Sequence, residues 1–112
     1  MKNCFVTDVR NQDFFFVIGK CKYTGLSNIC ICEREDGSFV YRSEYMLSPS
    51  RETFHVPHLC EGSVVRVVDP YNKKLFGKKF LVSEIDNEVV SIINPCNPSL
   101  VERIAITSLQ VI

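Results

Sequence analysis

The sequence predicts an all-β fold of one or two small barrels with short one-turn helices, and three observations lead to it. Valine and isoleucine are abundant while alanine occurs once, at Ala105; strands favour Val, Ile, Tyr, Phe and Thr, whereas helices favour Ala, Leu, Glu and Lys. Short apolar runs are bounded by turn-forming Gly, Asn, Asp and Pro. The stretch Gly62–Ile112 reads as successive strands: GSVVRVVDP, a lysine-rich YNKKLFGKK, the hairpin FLVSEID-NE-VVSII, and RIAITSLQVI. At 112 residues the chain suffices for one compact domain, 1–112, with candidate sub-units 1–54 and 60–112.

Each element has its own justification. Asn3 to Val9 alternates as a first strand. Phe14-Phe15-Phe16-Val17-Ile18 is a continuous apolar run that passes into alternation through Lys20, Lys22 and Tyr23. Thr24 to Asn28 is a turn signal, and Ile29-Cys30-Ile31-Cys32 opens a strand that turns polar at Glu33-Arg34. Asp36-Gly37 supplies the positive-φ positions of a tight hairpin, and Phe39 to Met46 is the returning strand. Ser48-Pro49-Ser50-Arg51-Glu52 carries the marks of a single helical turn, with Ser48 as cap and Pro49 at the first helical position. Phe54 to Cys60, with Pro57 inside, is a connector. Val64 to Val68 is a strand closed by Asp69-Pro70. Lys79 to Ile85 and Glu88 to Ile93 form a hairpin around Asp86-Asn87. Asn97 to Glu102 repeats the Ser-Pro logic as a second helical turn, and Ile104 to Ile112 is one bent strand or two short ones. The two halves share this rhythm, which fits either a divergent tandem repeat or the ordinary spacing of a meander.

Charge narrows the function. Acids and bases balance overall, and also within 1–59 and within 60–112, so no global field draws the chain to nucleic acid or to an anionic membrane. Any such binding must come from a local patch. The N-terminus lacks the uninterrupted apolar core of a signal peptide, and no run approaches the roughly 20 apolar residues of a spanning helix. A cytoplasmic location without membrane contact is expected, with Cys4, Cys21, Cys30, Cys32, Cys60 and Cys96 as reduced thiols. Three disulfides would need a secretory context.

Gly62-Ser63-Val64-Val65-Arg66-Val67 has the form Gly-x-x-Val-x-Val, Gly77 ends a long loop where the central hairpin begins, and IAITSLQV (Ile104 to Val111) gives a strand, a bend and a last strand. In these features the C-terminal half resembles the SH3-like barrels of the KOW and Tudor type. The resemblance implies SH3-like barrel units and contact with RNA or a partner protein through the loop. The sequence departs from that pattern in two ways. Ser63 stands where an acidic residue is common, and Tyr71, Phe76 and Phe80 do not form an identifiable cage for methylated side chains.

Four constellations are candidates for chemistry. Lys73, Lys74, Lys78 and Lys79 flank Leu75-Phe76-Gly77, with Tyr71 before, Phe80 after and Arg66 on the preceding strand. Lysines contact phosphates and exposed aromatics stack on bases; the alternative is a solvated loop that protects a sheet edge. His55, His58 and Cys60, with Cys30 and Cys32 on one strand face, are the candidate metal ligands, although neither spacing is that of a zinc finger or ribbon, and buried cysteine packs as a small hydrophobe. A catalytic Cys–His pair would need a lowered thiol pKa and an oriented base, which sequence does not reveal. No nucleophile elbow, phosphate-cradling glycine loop or dinucleotide fingerprint is present. Finally, Phe14–Ile18 must be covered on both faces, by the other half of the chain or by a partner.

The expectation is therefore a non-catalytic binding module without cofactor or metal. Its expected partner is nucleic acid or a nucleic-acid-associated protein of the transcription or translation machinery, met through Lys73, Lys74, Lys78, Lys79, Tyr71, Phe76 and Arg66. The rival is a small accessory or inhibitor protein, of a kind phages encode, that binds one host protein through an apolar strand face.

Overall fold

The computed structural model describes residues 2–23, 25, 28–55 and 58–112. Its strands are β1 (Cys4–Asp8), β2 (Phe14–Lys20), β3 (Ile29–Glu33), β4 (Phe39–Ser43), β5 (Leu47–Pro49), β6 (Val64–Val67), β7 (Lys79–Asp86), β8 (Val89–Asn94), β9 (Asn97–Ala105) and β10 (Leu109–Val111). Single 3-10 turns, Glu44–Met46 and Ile106–Ser108, precede β5 and β10. The all-β expectation holds. The strands form two antiparallel five-stranded sheets, ordered β4-β3-β2-β1-β5 and β10-β6-β7-β8-β9.

Read from the other edge, the second order is β9-β8-β7-β6-β10, the same path as the first. The equivalence extends to register. Asp8 and Val67 pair with the leucines that open the last strands, Leu47 and Leu109. Phe15 and Phe80 face Val6 and Val65. The second strand of each sheet shifts register against the third, at Val17/Gly19 and at Val82/Glu84. Cys30 and Cys32 thus fall where the second sheet has Val90 and Ile92.

Two expectations are corrected. The predicted helical turns at Ser48–Glu52 and Asn97–Glu102 are strand over Leu47–Pro49 and Asn97–Ala105, and the one-turn helices lie elsewhere. Pro49 and Pro98 sit on the edge strands β5 and β9, where a missing N–H leaves no ladder bond unmade. The sheets are open rather than closed barrels, since β4 does not pair with β5 nor β9 with β10. The Asp36-Gly37 and Asp86-Asn87 hairpins stand as read, with φ of 88° at Gly37 and 54° at Asn87. Of the turn read over Thr24–Asn28, Thr24, Leu26 and Ser27 lie outside the described residues, as do Val56 and Pro57 of the connector.

Both faces of the first sheet are covered. On one, Val6, Phe15, Val17, Cys30, Cys32 and Leu47 form a small core. On the other, Ile31 and Phe39 join Val65, Val67, Val90, Ile92, Ile106 and Leu109 in a larger one, and Ile18 packs against it. The rest of that face lies under the connector: Phe5 meets Phe16 at 5.0 Å and Phe54 at 5.1 Å between ring centroids, and His58 meets Phe16 at 5.1 Å. The run Phe14–Ile18 is therefore satisfied within the chain, except for Phe14, which is 40% exposed.

The sheets interlock through their hairpins. The β3–β4 turn lies on β10: the Val111 amide donates to the Gly37 carbonyl at 2.9 Å and the Gln110 side-chain amide to the Asp36 carbonyl at 2.8 Å. A Cβ on Gly37 would come within 2.4 Å of the Val111 carbonyl oxygen, so the approach requires glycine. In return, the β7–β8 tip grips the segment after β2. The Lys22 and Tyr23 amides donate to the Glu88 carboxylate at 2.9–3.1 Å, and the Asn87 side chain donates to the Lys20 carbonyl at 2.9 Å. Burial would push Glu88 up, but those amides prevail and its pKa is lowered.

Two buried charges distinguish the first unit. Asp8 has no exposed surface and pairs with Arg10 at 3.0 Å and Arg42 at 3.5 Å. The Arg10 hydrogen bond holds its carboxyl below the usual range. By register, Asp8 and Arg42 replace Val67 and Ile104 of the second unit. Glu33 is the other. It is fully buried, and neither carboxylate oxygen has a hydrogen-bond partner. Its counterpart Ile93 lies on a partly open face, whereas the connector closes over Glu33. Burial pushes the Glu33 carboxyl up to about 7.

Candidate nucleic-acid interface

The lysine-rich segment is the loop 68–78 between β6 and β7. Its counterpart in the first unit spans only 9–13, so the loops joining the first two strands differ greatly between the units. Short polar residues fix its path. Asp69 accepts from the Tyr71 amide through its carboxylate at 2.9 Å and from the Asn72 amide through its carbonyl at 3.1 Å. Asn72 then accepts from the Leu75 amide, at 3.2 Å through its side chain, and from the Phe76 amide, at 2.8 Å through its carbonyl. Gly77, with φ of 77°, donates to the Val67 carbonyl at 2.8 Å and so returns the chain to β6. Leu75 is buried with Phe80 and Ile92 and anchors the loop to the core.

This path displays the residues that sequence reading singled out. Lys73, Lys74, Lys78 and Lys79 are all exposed. Tyr71 is 92% exposed and Phe76 52%, well above what packing would leave. Arg66 is half-buried on β6, between its register partners Lys79 and Gln110. Lys74 reaches Glu102 at 3.3 Å. An internally bonded loop that presents cations and two ring faces loses little entropy on ordering, and it can hold phosphates and stack on bases.

Sequence reading missed what lies beside the loop. A cavity of about 200 Å³ opens there, floored by Leu75, Phe80 and Ile92 and closed by Leu100, Asn94 and Glu102. Lys74 and Lys78 stand at its rim. The signal was the alternation of Leu100 and Glu102, which becomes visible once Asn97–Ala105 is recognised as strand. Cross-strand partners share a face, so Glu102, half-exposed on the edge strand, lies beside Ile92 where the first unit has Val40.

The candidate metal ligands are not brought together. Cys30 and Cys32 are buried among Val6, Phe15 and Val17, His58 packs on Phe16, His55 is exposed, and Cys60 lies 3.4 Å from the Ser63 hydroxyl. Among the described residues no three His, Cys, Asp or Glu side chains are grouped to hold a metal ion. The six cysteines are unpaired. Burial pushes the Cys21 and Cys32 thiols up to about 12 and raises Cys30, which removes thiolate character from these three. No helix among the described residues is long and apolar enough to cross a membrane. No protein-family model matches the chain, and no curated protein is similar to it in sequence.

Proposed function

We propose that this protein is a non-catalytic binding module of two SH3-like units, akin to KOW and Tudor modules, that contacts nucleic acid through the loop 68–78. One observation carries the reading: four exposed lysines and two exposed aromatic rings share a single loop whose path is fixed by its own hydrogen bonds. Two further features support the SH3-like reading, namely the common strand path of the sheets and the one-turn 3-10 segment before each last strand. The basic loop then works as a local electrostatic patch on a neutral chain, attracting phosphates while Tyr71 and Phe76 stack on bases. The rival, an accessory protein that docks through the apolar face of β2, has only Phe14 exposed among the large apolar residues of that strand.

The test is fluorescence anisotropy of the full chain with labelled single-stranded oligonucleotides. Lys73, Lys74, Lys78 and Lys79 should all be changed to Glu in one variant, with circular dichroism to show that it folds. Loss of binding in a folded variant is expected. Undiminished binding would direct attention to another surface, and absence of binding by the parent chain would refute the reading.

A further inference from the structure

We infer that the cavity beside the lysine loop is a pocket for one unstacked guanine base of a single strand. The inference rests on the nucleic-acid reading and specifies what that site selects.

Size comes first. At about 200 Å³ the cavity is smaller than the roughly 300–1,000 Å³ of pockets for drug-sized ligands, so it admits a fragment such as a single heterocycle. Its floor of Leu75, Phe80 and Ile92 is apolar, as a flat ring requires.

Glu102 is the second observation. Glu102 stands beside Ile92 on the edge strand β9, half-exposed, where the first unit has Val40 packed against its core. Where the first unit packs an apolar side chain, the cavity wall of the second carries a carboxylate. Its contact with Lys74, at 3.3 Å between half-exposed or freely exposed groups, is a weak surface pair that a ligand can displace.

The polar groups then choose the base. Glu102 presents acceptors. The Asn94 carbonyl oxygen accepts from the Cys96 amide at 2.9 Å, which leaves the Asn94 NH₂ as a donor. Acceptor, acceptor and donor complement the guanine edge, whose N2–H and N1–H donate and whose O6 accepts. Adenine would set its N1 lone pair against the carboxylate, cytosine two acceptors, and uracil one donor between two acceptors. Single-strand readers commonly read this edge of an unstacked base. Lys74 and Lys78 at the rim suit the flanking phosphates, and they disfavour a cationic side chain that the Glu102 carboxylate could otherwise attract.

The test compares a labelled oligouridine decamer with the same decamer carrying one internal guanosine, in ribose and deoxyribose forms, by anisotropy with the full chain. One guanosine should tighten binding about tenfold, within the range of a good bidentate base contact. A single adenosine should not. Glu102→Gln should bring the guanosine-to-uridine ratio close to one. Equal binding of all decamers would overturn the guanine pocket and leave the loop as a non-selective contact. No binding to any decamer would overturn both readings. A guanosine preference that survives Glu102→Gln would also overturn the assignment.

Discussion

Glu33 offers the sharpest check on the packing described here. Its carboxyl is fully buried between the first sheet and the connector, without a hydrogen bond to either oxygen. Desolvation raises its pKa from 4.5 to about 7. A carboxyl whose folded-state pKa is raised binds its proton more tightly in the native state. Its contribution is therefore full below about 4.5 and is lost as pH rises to about 7. At about 1.4 kcal/mol per pKa unit, the shift corresponds to about 3 kcal/mol across that window. The informative variant is Glu33→Met, which keeps the volume and removes the titrating group. Urea unfolding of both chains from pH 4 to pH 8 reads the difference. The stability of Glu33→Met relative to the parent should grow by about 3 kcal/mol between pH 4 and pH 8, most of it before pH 7. Asp8, Asp36, Glu44 and Glu88 have lowered pKa values, lose their contributions as pH falls, and are common to both chains, so they cancel. A pH-independent difference would refute the burial of Glu33 beneath the connector.

Four other outcomes follow from the same structure. Gly37→Ala should destabilise by about 2 kcal/mol or more, seen as a lower urea midpoint, because the new methyl meets the Val111 carbonyl at 2.4 Å in a positive-φ backbone. Asp8→Val should lower the melting temperature by leaving the half-buried Arg42 without its carboxylate, and adding Arg42→Ile, which copies the second unit, should recover much of the loss. Cys30→Val with Cys32→Ile, again copied from the second unit, should change stability by less than about 1.5 kcal/mol. In the parent chain a thiol reagent should modify Cys60 and Cys96 at once, and Cys30 and Cys32 only after denaturation.

Most of the fold was legible because strand length, alternation and hairpin chemistry are local. Asp36-Gly37 and Asp86-Asn87 marked their turns, and the bend within Ile104–Val111 is the 3-10 turn Ile106–Ser108. The Ser-Pro and Asn-Pro signals misled because a helix start and an edge strand both tolerate proline, and only the sheet order decides between them. That error concealed the site in part. Reading Asn97–Glu102 as a helical turn removed the alternation that sets Leu100 and Glu102 on one face beside the lysine loop. The lysines and aromatics themselves were legible, since polar residues in a turn-rich segment are exposed by default. The buried Glu33 was not, because nothing within β3 indicates that a connector more than twenty residues away covers it.

The most direct measurement of the central claim is the salt dependence of binding to a single-stranded oligonucleotide, from 50 to 200 mM salt. Four lysine–phosphate contacts on a single strand give a log–log slope of about −3, or about a 50-fold loss of affinity over that range. That slope is expected for the parent chain, and a slope near zero for any residual binding after Lys73, Lys74, Lys78 and Lys79 are changed to Glu. A parent slope near zero would contradict it.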